Sequence, residues 1–342
     1  MIFDFNSRDI GIDLGTANVL AYVKGKGIIA REPSVVAVRN DATREILAVG
    51  EAAKAMIGRT PENILAVRPL QEGVIADFDA TEAMLRYYIR QAIGGAFTIR
   101  KPVVVICVPF GVTEVERNAV ELSAKKAGAR AVIMVEEPIA AAIGAGLPVQ
   151  DAVGSMVVDI GGGTTEVAVM SLGGIVVCES LRVGGNKFDE AIVAYLKQER
   201  NLAIGDRTAE EIKINIGTAY PLEQEVFMDV RGRDLLDGLP VTVKLSSNSI
   251  YDALKDSVSQ IVNAIKSTLE KTPPELSSDI MARGITLTGG SSLLTGLDVL
   301  VAQETGIRCS VDPSPLDCVV KGCGKLVEEG DFLNKIIAMR AL

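Results

Sequence analysis

Two short stretches of this 342-residue chain set the same residue types in the same order. In "IGIDLGTANVLAYV" (Ile10 to Val23) an apolar run reaches Asp13, turns at Gly15 and Thr16, and resumes as a second apolar run. In "VVDIGGGTTEVAVM" (Val157 to Met170) Asp159 precedes Gly161, Gly162 and Gly163, and Thr164 and Thr165 follow. A glycine turn between paired strands can aim successive backbone N–H groups into one concavity, and it lets the backbone approach a phosphate where a Cβ would clash. The threonines add hydroxyl donors. Asp13 and Asp159 would repel a phosphate, but they are well placed to hold Mg²⁺ and its waters, because magnesium prefers carboxylate and water oxygens. Either stretch alone also fits an ordinary hairpin with a glycine turn. Together they fit a clamp that grips a polyphosphate from both sides.

The composition narrows the chemistry further. There is no histidine, which removes Ser-His-Asp and Cys-His catalysis, imidazole-based zinc sites and histidine bases. Carboxylates, hydroxyls, lysines, backbone amides and a hard metal remain, the toolkit of phosphoryl transfer. A formal charge of −9 argues against nucleic acid as a partner, since phosphate-backbone binders carry a basic face. The five cysteines (Cys107, Cys178, Cys309, Cys318, Cys323) form no CxxC pair and read as small core residues of a reduced, cytoplasmic protein. The start, "MIFDFNSRD", lacks a basic leader followed by an apolar core. The longest apolar run, Pro102 to Phe110, falls far short of the roughly 20 residues that span a bilayer.

Strands alternating with helices must position these groups, the signature of an α/β protein of about two domains. Strands are expected at Asp9 to Leu14, Val19 to Lys24, Val35 to Val38, Val103 to Pro109, Ala131 to Val135, Ser155 to Asp159, Glu166 to Met170 and Ile285 to Thr288. Helical spacing covers Thr81 to Ile93, and Tyr251 to Lys271, where Pro273-Pro274 stops it. In "ITLTGGSSLLTG" a strand meets Gly289 and Gly290, and a helix is expected from Ser291 or Ser292, good N-cap residues. In "VEEPIAAAIGAGL" Glu136 and Glu137 precede a helix with Pro138 in its first turn. On its own this reads as two acids favouring the positive helix end. The small residues Ala140 to Gly146 permit close packing and suit a hinge. The link Gly146 to Gly154 marks the boundary between two halves, each opening with the same strand–turn–strand unit.

Phosphate loop, connecting helix, second phosphate loop and adenosine loop, in that order, resemble the actin-like ATPase superfamily. The stretches "DIGIDLGTANVLAYVKGKGI", "EPSVVAV", "GRTPENILAVRPLQEGVIADF", "VEEPIAAAIGAGLP", "GSMVVDIGGGTTEVAVMSLGGIV", "GDRTAEEIKINIGTAYP", "RGRDLLDGLP", "TPPELSSDIMARGITLTGG" and "DCVVKGCGK" resemble bacterial actins of the MreB/Mbl type along nearly the whole chain. The resemblance implies an actin-like ATPase fold of class α/β. Two duplicated RNase H-like domains would flank a nucleotide cleft, each with a smaller inserted subdomain. Domain I would span residues 1–146 plus 315–342, with an insertion at about 30–70, and domain II residues 147–314, with an insertion at about 181–243.

It also implies ATP or ADP with Mg²⁺ in the cleft. Thr16, Ala17, Asn18 and Gly161 to Gly163 match phosphate-binding positions; Glu210 and Lys213 of "EEIK" match positions beside the adenosine, closed by Gly289, Gly290 and Ser291. Glu137 matches the carboxylate that positions the attacking water, assisted by Thr164, and so takes a catalytic role that its own spacing does not demand. Two positions depart from the family pattern: Ser291 stands where a third glycine is usual, and Asn186 where an aspartate is usual. The implied function is slow ATP hydrolysis coupled to assembly into paired protofilaments. These would lie on the inner face of the bacterial cell membrane and organise cell-wall synthesis and rod shape, with a RodZ-like membrane adaptor and the cell-wall elongation machinery as partners. Phe97 and Ile99 lie beside Arg100 and Lys101 in a loop. Alone they fit folding back onto the core; with the resemblance, apolar tips next to basic residues imply contact with an anionic membrane surface. The competing readings are a small-molecule kinase of the same superfamily, which needs an acceptor pocket, and a chaperone-type ATPase, which carries a further substrate-binding domain, whereas this chain stops at Leu342.

Overall fold

The computed structural model describes residues 9–93 and 101–330; Phe97 and Ile99 lie outside them. Two five-stranded mixed sheets dominate. In the first, the hairpin Ile10–Leu14 / Asn18–Val23 pairs antiparallel and continues to Gly27–Pro33, while Val103–Val108 and Ala131–Glu136 add in parallel on the other side. In the second, Ser155–Ile160 / Thr165–Ser171 / Gly174–Leu181 form the antiparallel part, and Ile285–Thr288 and Cys309–Val311 add in parallel. Strand for strand the two sheets have one topology, so Asp13 and Asp159 occupy equivalent places near the ends of equivalent strands.

The strands at the centre of each sheet read as almost unbroken apolar runs because both faces are covered; all six residues of Val103–Val108 and of Ser155–Ile160 are buried. Helices Phe78–Ile93 and Glu114–Ala127 cover the outer face of the first sheet with Tyr88, Leu85, Met84 and Ala124. Helices Gly185–Arg200 and Ser247–Lys271 cover the outer face of the second with Phe188, Ile192, Leu254 and Ile261.

Between the sheets lies a third core that belongs to both. Val105, Cys107 and Val135 of one sheet and Val157, Ala168 and Met170 of the other pack on helices Glu137–Gly144 and Cys318–Glu328. These two helices touch backbone to backbone. A Cβ added to Gly144 would lie 1.7 Å from the Cys318 carbonyl oxygen, and one added to Gly322 would lie 1.9 Å from that of Ala140. Lys325 donates its Nζ to the Ile143 carbonyl (2.7 Å), closing the C-terminal end of the shorter helix. Two three-stranded sheets lie outside this frame, at Ile46–Val49 / Val36–Arg39 / Ile64–Val67 and at Leu202–Ala203 / Phe227–Asp234 / Pro240–Ser246, along with the two-stranded Leu70–Gln71 / Val74–Ile75.

One expectation fails. The helix expected from Ser291 or Ser292 is only a single 3₁₀ turn, Gly290–Leu293, and the α-helix begins at Leu297. Ser292 turns its hydroxyl back to donate to the Gly289 carbonyl (2.6 Å) instead of capping downstream amides. Thr295 is then drawn aside by a bridge to Thr218, with Ala219 N–H donating to its carbonyl.

Candidate functional site: a cleft between two glycine turns

The two turns face each other with almost no space between them. A Cβ on Gly162 would come within 2.4 Å of the Ala17 Cβ, and one on Gly163 within 2.6 Å of Thr16 Oγ1. Gly161 N–H donates to the Thr164 carbonyl (2.9 Å), which tightens the second turn. Ser34 braces the first turn by donating its hydroxyl to the Gly15 carbonyl at 2.5 Å. Behind the turns opens a cleft of ≈ 390 Å³, within the roughly 300–1,000 Å³ of small-ligand sites. Its walls include Asp13, Gly15 to Asn18, Glu137, Asp159, Gly161 to Thr164, Glu210, Lys213 and Gly289 to Ser291. Thr165 is placed elsewhere: it is fully buried and donates to the Val183 carbonyl (2.7 Å), because strand alternation turns it away from the cleft.

Four acids gather beneath the turns, Glu137, Asp159 and Glu166 buried and Asp13 partly exposed at the cleft. Burial first, and then the Asp159 charge, pushes Asp13 up to about 8 from 3.8. Asp159 is pushed up to about 6 by burial, moderated by a hydrogen bond that Thr288 Oγ1 donates to its Oδ1 (2.7 Å). Glu137, 8% exposed, is held well above the usual carboxylate range by burial and then by the charges of Glu166, Asp13 and Asp159. Glu166, which the sequence showed only as the first residue of an expected strand, is pushed to about 7 chiefly by burial. Its Oε1 accepts from Phe110 N–H (2.8 Å) and Ser180 Oγ (3.2 Å), while its Oε2 is buried without a partner.

Carboxylates crowded out of water and raising one another's pKa suit a bound cation, whose charge would reverse the repulsion. Asp13 and Asp159 are the residues that would hold Mg²⁺. Among the described residues no group of three or more acids or cysteines forms a metal cage, so such an ion would take most of its ligands from water and phosphate.

The opposite wall is polar and paired. Ser291 donates its hydroxyl to the Gly161 carbonyl (2.8 Å), so the residue that departs from a triple glycine ties its own loop to the second glycine turn. Asn186 meets that turn through its backbone, with its N–H donating to the Gly162 carbonyl (2.8 Å). Lys213 donates to the Gly185 carbonyl (3.0 Å) and pairs with Asp189 (2.8 Å). Glu210 is engaged from across the cleft by Lys54 at 2.8 Å.

Sequence reading did not single out Lys54, Arg68, Gly73, Asp189 or Glu166. Gly73 sits in a two-residue hairpin between Leu70–Gln71 and Val74–Ile75 and donates its N–H to Thr16 Oγ1 (3.0 Å); the "EG" pair ahead of Val74-Ile75 was the available signal. The Lys54–Glu210 pair joins the two outlying subdomains at the cleft mouth. Lys54→Glu is therefore expected to release bound nucleotide about threefold to fivefold faster, the scale of one exposed ion pair turned repulsive, and the double variant Lys54→Glu/Glu210→Lys to recover part of the loss. Stopped-flow displacement of a fluorescent adenine nucleotide reads this directly, and an unchanged release rate removes the pair from gating. A larger, shallow groove of ≈ 680 Å³ lies over helix Phe78–Ile93, lined by Ile46, Arg86 and Tyr87, but no glycine turn opens into it.

Two sheets of one topology, joined through a shared helix pair and setting glycine turns face to face over paired aspartates, define a protein of the actin-like ATPase class. MreB5 of Spiroplasma citri, solved bound to ADP, superposes with a TM-score of 0.89 at 41% identity over 95% of this chain and 97% of that one. MamK from a double helical filament shares the fold at a TM-score of 0.80 and 21% identity, over 94% of this chain and 98% of that one. The family model MreB/Mbl protein matches residues 7–335. The cell shape-determining protein MreB of Escherichia coli (strain K12) is 54% identical over 329 residues, 95% of each chain. The cell shape-determining protein Mbl of Bacillus subtilis (strain 168) is 50% identical over 330 residues, 96% of this chain and 98% of its own. The chain belongs to the MreB/Mbl family.

Proposed function

We propose that this protein binds ATP in the cleft, assembles into filaments of paired protofilaments, and hydrolyses ATP slowly in step with that assembly. The observation that carries this reading is the pair of glycine turns opposed over Asp13 and Asp159. Two Spiroplasma citri MreB5 structures, one bound to ADP and one to AMPPNP, share this fold at 41% and 39% identity, and they support adenine nucleotide as the ligand. In this reading the backbone of Gly15 to Asn18 and Gly161 to Gly163 cradles the phosphates. Mg²⁺, held by Asp13 and Asp159 through water, would neutralise phosphate charge. Glu137, aided by Thr164, accepts a hydrogen bond from a water and holds it in line with the terminal phosphate, and positioning is most of what this reaction needs. Glu210, Lys213 and the Gly289–Ser291 loop border the adenosine.

In this reading the filaments lie on the inner face of the cell membrane and organise cell-wall synthesis and rod shape, with a RodZ-like adaptor and the elongation machinery as partners; the likeness to cell shape-determining relatives supports it. Membrane contact is assigned to Phe97 and Ile99. Among the described residues no helix is long and apolar enough to cross a membrane. Sedimentation of the purified chain with and without Mg-ATP tests the assembly. Pelleting that requires nucleotide and rises above a critical concentration is the expected result. A protein that stays soluble at every concentration yet phosphorylates a sugar is instead a kinase of this superfamily.

A further inference from the structure

The charges along the cleft leave one cation unassigned. Six acids line it (Asp13, Glu137, Asp159, Asp189, Asp206 and Glu210) against three cations, Lys54, Arg68 and Lys213. Two of those cations are taken, Lys54 by Glu210 and Lys213 by Asp189, at 2.8 Å each. Arg68 has no hydrogen bond or ion pair among the described residues, although an arginine that reaches a folded-protein carboxylate usually makes a bidentate pair with it. A cleft whose remaining acids are Asp13, Glu137, Asp159 and Asp206 is a poor host for a further anion unless some cation is held in reserve.

The mounting of Arg68 is firm. It follows strand Ile64–Val67 and precedes Pro69, a buried residue whose carbonyl accepts from both Ala76 N–H (2.8 Å) and Asp77 N–H (3.1 Å). A residue before proline is confined to extended backbone, so the base of the side chain has little freedom. Arg68 is carried by the half that bears the first glycine turn, yet its charge reaches helix Gly185–Arg200 of the other half and contributes to holding the Asp189 carboxylate ionised. The start of that helix is bonded to the second turn, Gly185 N–H to the Gly161 carbonyl (3.0 Å) and Asn186 N–H to that of Gly162 (2.8 Å). Arg68 thus lines the cleft within electrostatic reach of the helix whose start is bonded to the second turn.

We propose that Arg68 is a phosphate-recognising residue, contributed by one half of the molecule and acting on the polyphosphate that the turns hold in the cleft. This rests on the reading of the cleft as a nucleotide site and names the side chain that answers the ligand's charge. A planar fork of donors suits phosphate oxygens, and its pairing with the ligand draws the outlying subdomain toward the cleft.

Equilibrium binding of ATP, ADP and adenosine to the full chain, for wild type, Arg68→Gln and Arg68→Lys, tests the proposal. Arg68→Gln is expected to weaken ATP and ADP by about tenfold, the scale of one lost charge-assisted hydrogen bond. Adenosine binding should be unchanged, which also shows that the variant is folded, and Arg68→Lys should fall between. Undiminished ATP and ADP affinity in Arg68→Gln overturns the assignment. So does an equal loss for adenosine, which would make Arg68 a brace for Asp189. A wild-type chain that binds neither ATP nor ADP overturns the nucleotide reading itself, and the Arg68 assignment with it.

Discussion

Replacing Glu137 with glutamine is expected to lower ATP turnover by about two orders of magnitude, the usual worth of a positioned acid–base group, while nucleotide affinity stays near wild type. Glutamine keeps the shape and offers a poorer acceptor to the water, so the loss falls on the hydrolytic step and not on binding. The same substitution should make the ligand-free protein melt at a higher temperature. Glu137 is desolvated and repelled by Glu166, Asp13 and Asp159, and a neutral side chain removes that strain. The sign follows from proton linkage. Folding raises the pKa of Asp13 to about 8, Glu166 to about 7 and Asp159 to about 6. The folded state therefore binds more protons than the unfolded chain between about pH 4 and 8, and ligand-free stability falls as pH rises through that window. Single-turnover phosphate release and thermal melts at several pH values measure both effects. Wild-type turnover in Glu137→Gln would remove the residue from catalysis, and a lower melting temperature would contradict the account of the acidic cluster.

The second large effect is on stability. Gly322→Ala should destabilise the protein by about 3 kcal/mol, the upper range of overpacking in a dense core. The added methyl would sit 1.9 Å from the Ala140 carbonyl oxygen. That oxygen belongs to a helix backbone, so no side-chain rotation relieves the clash and the helices must separate. They are wedged between two sheets that share one core, so separation disturbs both halves. Glu137 opens the shorter helix, and turnover should fall along with stability. Urea unfolding curves give the magnitude; a change smaller than about 0.5 kcal/mol, typical of surface substitutions, would mean that the helices do not pack as described.

The short-range features were readable from the residues. The hairpins around Asp13 and Asp159, the buried strand Val103–Val108 and the stop at Pro273 each follow from local pattern and turn chemistry. The duplicated strand–turn–strand unit was legible because both copies needed the same glycines for the same close approach. What stayed hidden depends on residues far apart in the chain. Lys54 meets Glu210, Phe110 meets Glu166, and Arg68 finds the cleft only after the sheets have stacked. Thr165 was misread for a local reason: a threonine next to a phosphate turn looks like a donor, yet alternation along the strand turns it inward. The α-helix after Gly290 starts late because Thr295 is held in a bridge to Thr218, which leaves Gly296 as the N-cap.

A chain without histidine has few groups that exchange protons near neutrality. Here the carboxyl groups lifted into the range of about 6 to 8 (Asp13, Asp159, Glu166 and Asp189) all line or adjoin one cleft. Among the described residues, the carboxyl groups that titrate in that range are thus concentrated around the cleft proposed to hold the nucleotide. In the proposed reading, a cation and nucleotide entering the cleft displace protons from it, which makes occupancy of the cleft and acidity of the surrounding solution two sides of one equilibrium.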